Sequence, residues 1–159
     1  CVGHGNKRHH NIINSLYLKP EELEESNRQR FKKYDIEKQE LPEVENYLTE
    51  DADIIVTGYG ASARIVRSAV NAARAEGIKA GMIRPITLWP FSEKAYADPV
   101  ETAKAYLVVE LSMGQMVDDV SLATSCRRPV RFFGRTGGVI HTPAEILAQI
   151  KLIAKEEPK

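Results

Sequence analysis

Residues 53–84 constrain this chain more than any other stretch. Asp53-Ile54-Ile55-Val56-Thr57 is a short β-branched run without a break, the pattern of a parallel strand covered on both faces. Gly58-Tyr59-Gly60 follows at once, and glycine lets the backbone turn sharply and other groups approach closely. From Ser62 the period changes: Ile65, Val66, Ala69, Val70 and Ala73 form one stripe of a helix, which Gly77 ends as a left-handed cap. Residues 79–84 then read as a second strand, closed by Pro85. A strand-helix-strand unit of about thirty residues is a βαβ crossover, and it demands a parallel sheet.

The rest of the chain extends that pattern. Residues 105–110 read as a third parallel strand. Ser112-x-x-Gln115 then has the form of a capping box, with Asp118 and Asp119 at the amino end of a helix that closes near Cys126. Val130 opens a fourth strand, Gly134-Arg135-Thr136-Gly137-Gly138 a flexible turn. Thr142-Pro143-Ala144-Glu145 is a strong start for a last helix, which carries Ile146, Leu147, Ile150 and Ile153 on one face and frays after Lys155. Residues 92–104 are weakly helical, broken or kinked at Pro99. Residues 85–91, with two prolines and the one Trp, form a stiff apolar loop. That loop follows the carboxyl end of a strand, where open α/β sheets place binding crevices. The alternative is a plug packed on the sheet edge or on a sister domain, and the plug is the favoured reading. Upstream, Pro20 with Glu21 and Glu22 starts a helix whose apolar stripe, Leu23, Asn27, Phe31 and Tyr34, is thin. Such a helix lies on a surface or bridges to a neighbour. Residues 12–18 are a candidate edge strand, and residues 37–51 read as an acidic linker. The expected division is therefore residues 1–51 as linker, edge strand and surface helix, and residues 52–159 as the α/β domain.

Composition excludes several function classes. The chain has 159 residues, 43% of them hydrophobic, and balances 22 basic against 22 acidic residues. Neutrality gives no electrostatic case for nucleic acid or an anionic membrane surface, and no apolar run approaches the length of a membrane span. Two cysteines and no Cys-x-x-Cys argue for a reducing compartment and against a disulfide framework, a metal centre or an iron–sulfur cluster in this chain. Cys126 reads as a small buried or half-buried thiol. His4, His9 and His10 have poor ligand spacing and read as part of a solvated entry segment. The chain opens on Cys1, not on an initiator Met, and so looks like a piece of a longer polypeptide.

Three places offer chemistry. Gly58-x-Gly60-x-x-Ala63 matches a relaxed dinucleotide fingerprint, which would seat a pyrophosphate on a helix amino end. The next strand ends on Arg84, not on a ribose-binding carboxylate. The residue suits only a 2′-phosphate, and the glycines are better read as sites of close packing or domain contact. Arg135 and Gly137 in the glycine-rich turn make either an anion nest or a turn whose arginine pairs with a carboxylate. Glu110, with Ser112 and Gln115, is either a polar contact at a cofactor mouth or a carboxylate beside its own helix cap. The candidates are thus Gly58, Gly60, Arg84, Glu110, Gln115, Arg135 and Gly137. No base, acid and nucleophile can be assembled among them, and His141 has no evident partner.

Several stretches resemble a known family: Asn11-Ile12-Ile13-Asn14-Ser15-Leu16-Tyr17-Leu18 before Pro20-Glu21-Glu22-Leu23, then Arg84-Pro85-Ile86-Thr87-Leu88-Trp89-Pro90-Phe91, Val109-Glu110-Leu111-Ser112-Met113-Gly114-Gln115 and Gly134-Arg135-Thr136-Gly137-Gly138. Together they look like the carboxyl-terminal part of the α subunit of 2-oxoacid:ferredoxin oxidoreductases, nearest the branched-chain (2-ketoisovalerate) members. The resemblance implies a domain similar to the transketolase carboxyl-terminal domain. That fold is a three-layer α/β/α sandwich on a five-stranded, mostly parallel sheet with one antiparallel edge strand, for which residues 12–18 are the candidate. It implies membership of a cytoplasmic complex that oxidatively decarboxylates a 2-oxo acid to an acyl-CoA. In that complex thiamine diphosphate with Mg²⁺ is the electron sink, and iron–sulfur clusters pass electrons to ferredoxin. No Gly-Asp-Gly and no cluster cysteines stand in this chain, so the implied role is structural, without a bound cofactor and inactive alone. The implied partners are the pyrimidine-binding domain of the same subunit, the β and γ/δ subunits, and ferredoxin through them. A second copy is expected to pair where natural neighbours are missing. The competing expectation is a free-standing NADP- or CoA-binding module.

Overall fold

In chain order the computed structural model, which describes residues 3–156, forms α1 (Pro20–Glu40), β1 (Val44–Tyr47), β2 (Ile54–Thr57), α2 (Gly60–Ala75), β3 (Ala80–Pro85), α3 (Glu93–Ala97), a 3-10 turn (Asp98–Glu101), β4 (Ala105–Glu110), α4 (Met116–Ala123), β5 (Val130–Gly134) and α5 (Pro143–Lys155). The tail beyond Glu156, where fraying was expected, lies outside the described residues. The chain divides between Ile36 and Glu37 into two compact units.

The first unit is dominated by α1. Pro20 opens the helix, Glu21 and Glu22 sit in its first turn, and the pairs Lys19–Glu22 and Glu24–Arg28 run along its surface. None of its residues is buried. Residues 12–18 are not the expected edge strand: they form no strand or helix, and Ile12 and Ile13 are 93% and 94% exposed. Among the described residues the segment joins no strand ladder, and its bonds are local: the Leu16 N–H donates to Asn14 Oδ1 at 2.9 Å and the Leu16 carbonyl accepts from Asn14 Nδ2 at 3.5 Å.

In the second unit the five strands run in the order β1-β3-β2-β4-β5. β2, β3, β4 and β5 are mutually parallel, and β1 pairs antiparallel with β3, Val44 opposite Pro85 and Tyr47 opposite Met82. The expected five-stranded, mostly parallel sheet with one antiparallel edge is present. Its edge strand, however, comes from the stretch read as a linker. Val44-Glu45-Asn46-Tyr47 has too little apolar patterning to announce a strand, and its half-buried residues show why: only one face meets the core.

The period of two along each strand sorts the core into two layers. Ile54, Val56, Met82, Leu107 and Val109 face α2 and α5, meeting Val66, Ala69, Val70, Ala73, Ile146 and Ile150. Ile55, Ile83, Tyr106 and Val108 face the other way, onto Tyr96, Val100, Met116 and Val120 of α3, the 3-10 turn and α4. Pro99 sits at the start of the 3-10 turn and breaks the helical stretch there, where it was expected to. Thr142 and Glu145 form the full reciprocal capping box at the head of α5. Cys126 is exposed, against expectation, because α4 ends at Ala123 and the chain turns outward through Ser125 and Cys126, both at positive φ.

Candidate functional site

The connection from β2 through α2 reaches β3 on one side, while the connection out of β3 crosses back to β4 on the other. The switch point therefore lies between the carboxyl ends of β2 and β4, where open α/β sheets place their crevices. Gly58 stands there. A Cβ on it would lie 3.1 Å from the Val109 carbonyl oxygen and 3.3 Å from the Ser62 Cβ, so the absent side chain lets α2 close onto the sheet. Gly60 is the first residue of α2, at φ +55°.

Glu110, the last residue of β4, is fully buried, and its carboxylate gathers the next loop around itself. Oε2 accepts from Ser112 Oγ at 3.0 Å and from the Gln115 and Met116 amides at 3.1 Å; Oε1 accepts from the Val117 amide at 3.1 Å and more distantly from Gln115 at 3.3 Å. The expected Ser112–Gln115 capping box does not form. Gln115 itself occupies the cap position with no side-chain cap, and Ser112 Oγ accepts from the Gly114 amide at 3.2 Å instead. A buried carboxylate aimed at three amides of a helix amino end is a stronger acceptor than a hydroxyl, and it takes the place. Glu110 also links sideways: its carbonyl accepts from the Arg135 amide at 3.0 Å.

Beneath this loop, Thr57 Oγ1 and the Tyr96 hydroxyl share a buried hydrogen bond of 2.8 Å, and the Tyr106 hydroxyl donates to the Tyr96 carbonyl at 2.8 Å. Burial pushes the Tyr106 phenol up to about 12 and the Tyr96 phenol higher, so neither releases a proton near neutrality. Asp119 is raised by desolvation, and further by Asp118 and Glu110.

The two candidate cations are both engaged. Arg84 pairs with Glu45 at 3.3 Å across β3 and β1, and Glu45 also pairs with Arg67, whose guanidinium lies 4.3 Å from the Tyr47 ring centre. The Arg67 hydrogen bond, outweighing desolvation, holds the Glu45 carboxyl below its ordinary range. Arg135 pairs with Glu145 and lies 5.6 Å from the Phe133 ring centre, and Gly137 lies in the adjoining turn at φ +66°. Glu145 is held low first by its bonds to Thr142 and then by Arg135. His141 does have a partner: its Nε2 lies 3.1 Å from the Phe133 carbonyl, and burial lowers its pKa. Thus Gly58, Glu110, Gln115 and the Arg135 backbone meet at one place, while the Arg84 side chain belongs to the β1 edge. Among the described residues no three His, Cys, Asp or Glu side chains are grouped to hold a metal ion.

Beyond the apolar loop after β3, what the residue-by-residue reading missed is apolar as well. The loops after β3, β4 and β5 turn large side chains outward at this same edge: Ile86, Leu88 and Trp89, then Leu111 and Met113, then Val139 and Ile140, with Trp89 58% and Met113 83% exposed. The start of the loop after β3 packs at the β1 edge, where the Ile86 and Thr87 amides donate to the Glu43 carbonyl at 2.9 and 3.3 Å; Phe91 anchors its far end by stacking on Tyr96 at 4.9 Å, while Trp89 turns outward. The signal was present in the sequence as apolar residues just past strand ends.

Residues 52–146 match the family described as pyruvate:ferredoxin oxidoreductase core domain II. The ketoisovalerate oxidoreductase subunit VorB of Methanothermobacter marburgensis is 40% identical over 146 residues, which is 92% of this chain and 41% of that protein. The 2-oxoglutarate synthase subunit KorA of the same organism is 42% identical over 110 residues, 69% of this chain and 29% of that protein. This chain thus spans about two fifths of the length of the ketoisovalerate relative. Among solved structures, the 2-oxoglutarate:ferredoxin oxidoreductase of Magnetococcus marinus superposes with a TM-score of 0.71 at 24% identity, over 87% of this chain and 24% of that one. An inactive split-gene transketolase tetramer superposes at 0.58 and 18% identity, over 69% of this chain and 41% of that one.

Proposed function

The chain belongs to the pyruvate:ferredoxin oxidoreductase core domain II family, and we propose that it is the supporting α/β domain of the α subunit of a 2-oxoacid:ferredoxin oxidoreductase. The relatives are oxidoreductase subunits, which supports a place in a multi-subunit enzyme. The reaction we assign to the whole is oxidative decarboxylation of a branched 2-oxo acid to its acyl-CoA, with ferredoxin as electron acceptor, in the cytoplasm. Its partners are the pyrimidine-binding domain of the same subunit, the β and γ/δ subunits, and ferredoxin through them. No helix among the described residues is long and apolar enough to cross a membrane. On this reading residues 52–159 form the domain proper, with β1 added at its edge.

The residues present do not fit thiamine diphosphate. The cations suited to a diphosphate, Arg84 and Arg135, are engaged by Glu45 and Glu145, and the described carboxylates are not grouped to hold Mg²⁺. The same pairing weighs against a free-standing NADP- or CoA-binding module. The observation that carries the proposal is the apolar rim at the carboxyl edge of the sheet, Trp89 and Met113 foremost, which is the chemistry of a docking face and not of a reaction centre. The test has two arms. The chain alone, given 2-oxoisovalerate, CoA and thiamine diphosphate, should reduce no viologen, and turnover would overturn the proposal. In the complete subunit, Trp89→Asp with Met113→Asp should cut recovery of assembled complex at least tenfold while leaving the domain's circular dichroism unchanged; normal assembly would overturn the docking role.

A further inference from the structure

We propose that the open start of α2, with the Ser62 hydroxyl beneath it, is a binding site for a single phosphate group, either free phosphate or a phosphate monoester. The site is independent of the role assigned above. At α2 the chain itself offers no acceptor for the helix start. The N-cap residue, Tyr59, makes no side-chain cap bond, and the first turn carries no acidic residue. Among the described residues no acceptor meets the amides of Gly60, Ala61 and Ser62. Gly60 and Ala61 are exposed, so the positive end of this 16-residue helix opens to solvent.

Ser62 points to a ligand on separate grounds. It is only 3% exposed, and its hydroxyl has no hydrogen-bond partner among the described residues. It is the third residue of α2, and the Cα–Cβ bonds of a helix lean back toward its start. From that position a side chain reaches the cap. Its Cβ lies 3.3 Å from where a Gly58 Cβ would stand, between the helix start and the end of β2. A buried hydroxyl with no partner is costly. An oxyanion seated on the Gly60 and Ala61 amides would accept from it.

The surrounding charge is positive. Ile83 pairs with Thr57 across the β2–β3 ladder, so Arg84 stands next to Gly58. The period of two puts Arg84 on the same side of the sheet as Met82, which is the α2 side. Glu45 takes one Arg84 nitrogen, Nη1, at 3.3 Å, and it is shared with Arg67 of α2, while Arg84 Nε has no partner. One carboxylate against two guanidinium groups leaves a positive charge beside the first two turns of α2, and the exposed Arg64 adds to it. A phosphate dianion gains more from that field than a carboxylate does. Its tetrahedral shape also lets one oxygen meet the amides while another meets Ser62. A diphosphate would need a further cation, and Arg135 is held by Glu145.

The test is a titration of the 159-residue chain with inorganic phosphate at neutral pH and fixed ionic strength, followed by ¹H–¹⁵N correlation spectra. The Gly60, Ala61 and Ser62 amide peaks should move together and saturate in the low millimolar range. Acetate should bind several-fold more weakly. Glycerol 3-phosphate should match free phosphate if the ligand is a monoester, and its exclusion would assign the site to free phosphate. Ser62→Ala, a small change, should leave the rest of the spectrum in place and weaken phosphate about tenfold, the loss of one hydrogen bond to a charged group. Arg84→Gln should weaken it about threefold, as for a partly screened charge. Tyr59→Asp sets a carboxylate at the N-cap, where it accepts from the same amides, and should abolish phosphate binding. Peak shifts that do not saturate, acetate binding as tightly as phosphate, or Ser62→Ala binding phosphate as well as the parent chain would each overturn the proposal.

Discussion

Glu110→Gln is the substitution that interrogates this fold most sharply. The side chain is fully buried, and its two oxygens accept from Ser112 Oγ and from the amides of Gln115, Met116 and Val117. An amide of the same shape keeps one oxygen. In its better orientation that oxygen stays with Ser112, Gln115 and Met116, and the new NH₂ group faces the Val117 amide, donor against donor. One bond to a charged acceptor is lost, worth about 2 kcal/mol. The remaining bonds fall from charge-assisted to neutral strength, and the favourable charge at the α4 amino end goes with them, adding about 1 kcal/mol. The expected loss is about 3 kcal/mol, a drop of roughly 6–12 °C in Tm for a chain of this size. Urea unfolding followed by circular dichroism measures it, with Ser112→Ala, which removes one donor to the carboxylate together with the acceptor of the Gly114 amide, expected to cost about 1–2 kcal/mol. If Glu110→Gln cost less than Ser112→Ala, the carboxylate would not be what holds the loop after β4, and the account of this edge would fail.

Two further outcomes follow from the same geometry. Gly58→Ala places a Cβ 3.1 Å from the Val109 carbonyl, an unyielding neighbour, and should destabilise the chain by about 1–3 kcal/mol in the same assay. His141 is buried neutral with its pKa lowered from 6.5, chiefly by burial and further by Arg135, and opposed by its bond to Phe133 and by Glu145. The unfolded chain therefore binds more protons below about pH 6.5, so stability should be level above that pH and fall as pH drops through it. His141→Asn should flatten the slope between about pH 6.5 and 5.5, above the range where Glu45, Asp51 and Glu145 add losses of their own. An unchanged slope in that variant would refute the assignment.

Much of the architecture was legible because it rests on periodicity. The unbroken Ile54–Thr57 run, the α2 stripe from Val66 to Ala73 and the Thr142–Glu145 box each state their structure locally. β1 did not, because Val44–Tyr47 becomes a strand only through its ladder to β3, a long-range pairing that a short acidic stretch does not advertise. The apolar run at residues 12–18 erred the other way, showing strand composition with no strand to pair with. At the candidate site the residue types were legible and their partners were not. Arg135 reads as either part of a nest or the partner of a carboxylate, and Glu145, ten residues on, is the carboxylate it meets. Ser112 looked like the cap of α4, yet Glu110 reaches the same amides from the strand below.

Glu110 has one more consequence. Its side chain fixes the Met113 loop and its carbonyl holds the Arg135 amide, so two neighbouring rims hang from a single residue. Whatever seats against Met113 meets a loop already bonded to Glu110 through Ser112 and Gln115, and less motion is left to freeze when contact is made. Such a mould favours slow release over rapid capture, as suits a part assembled once and kept.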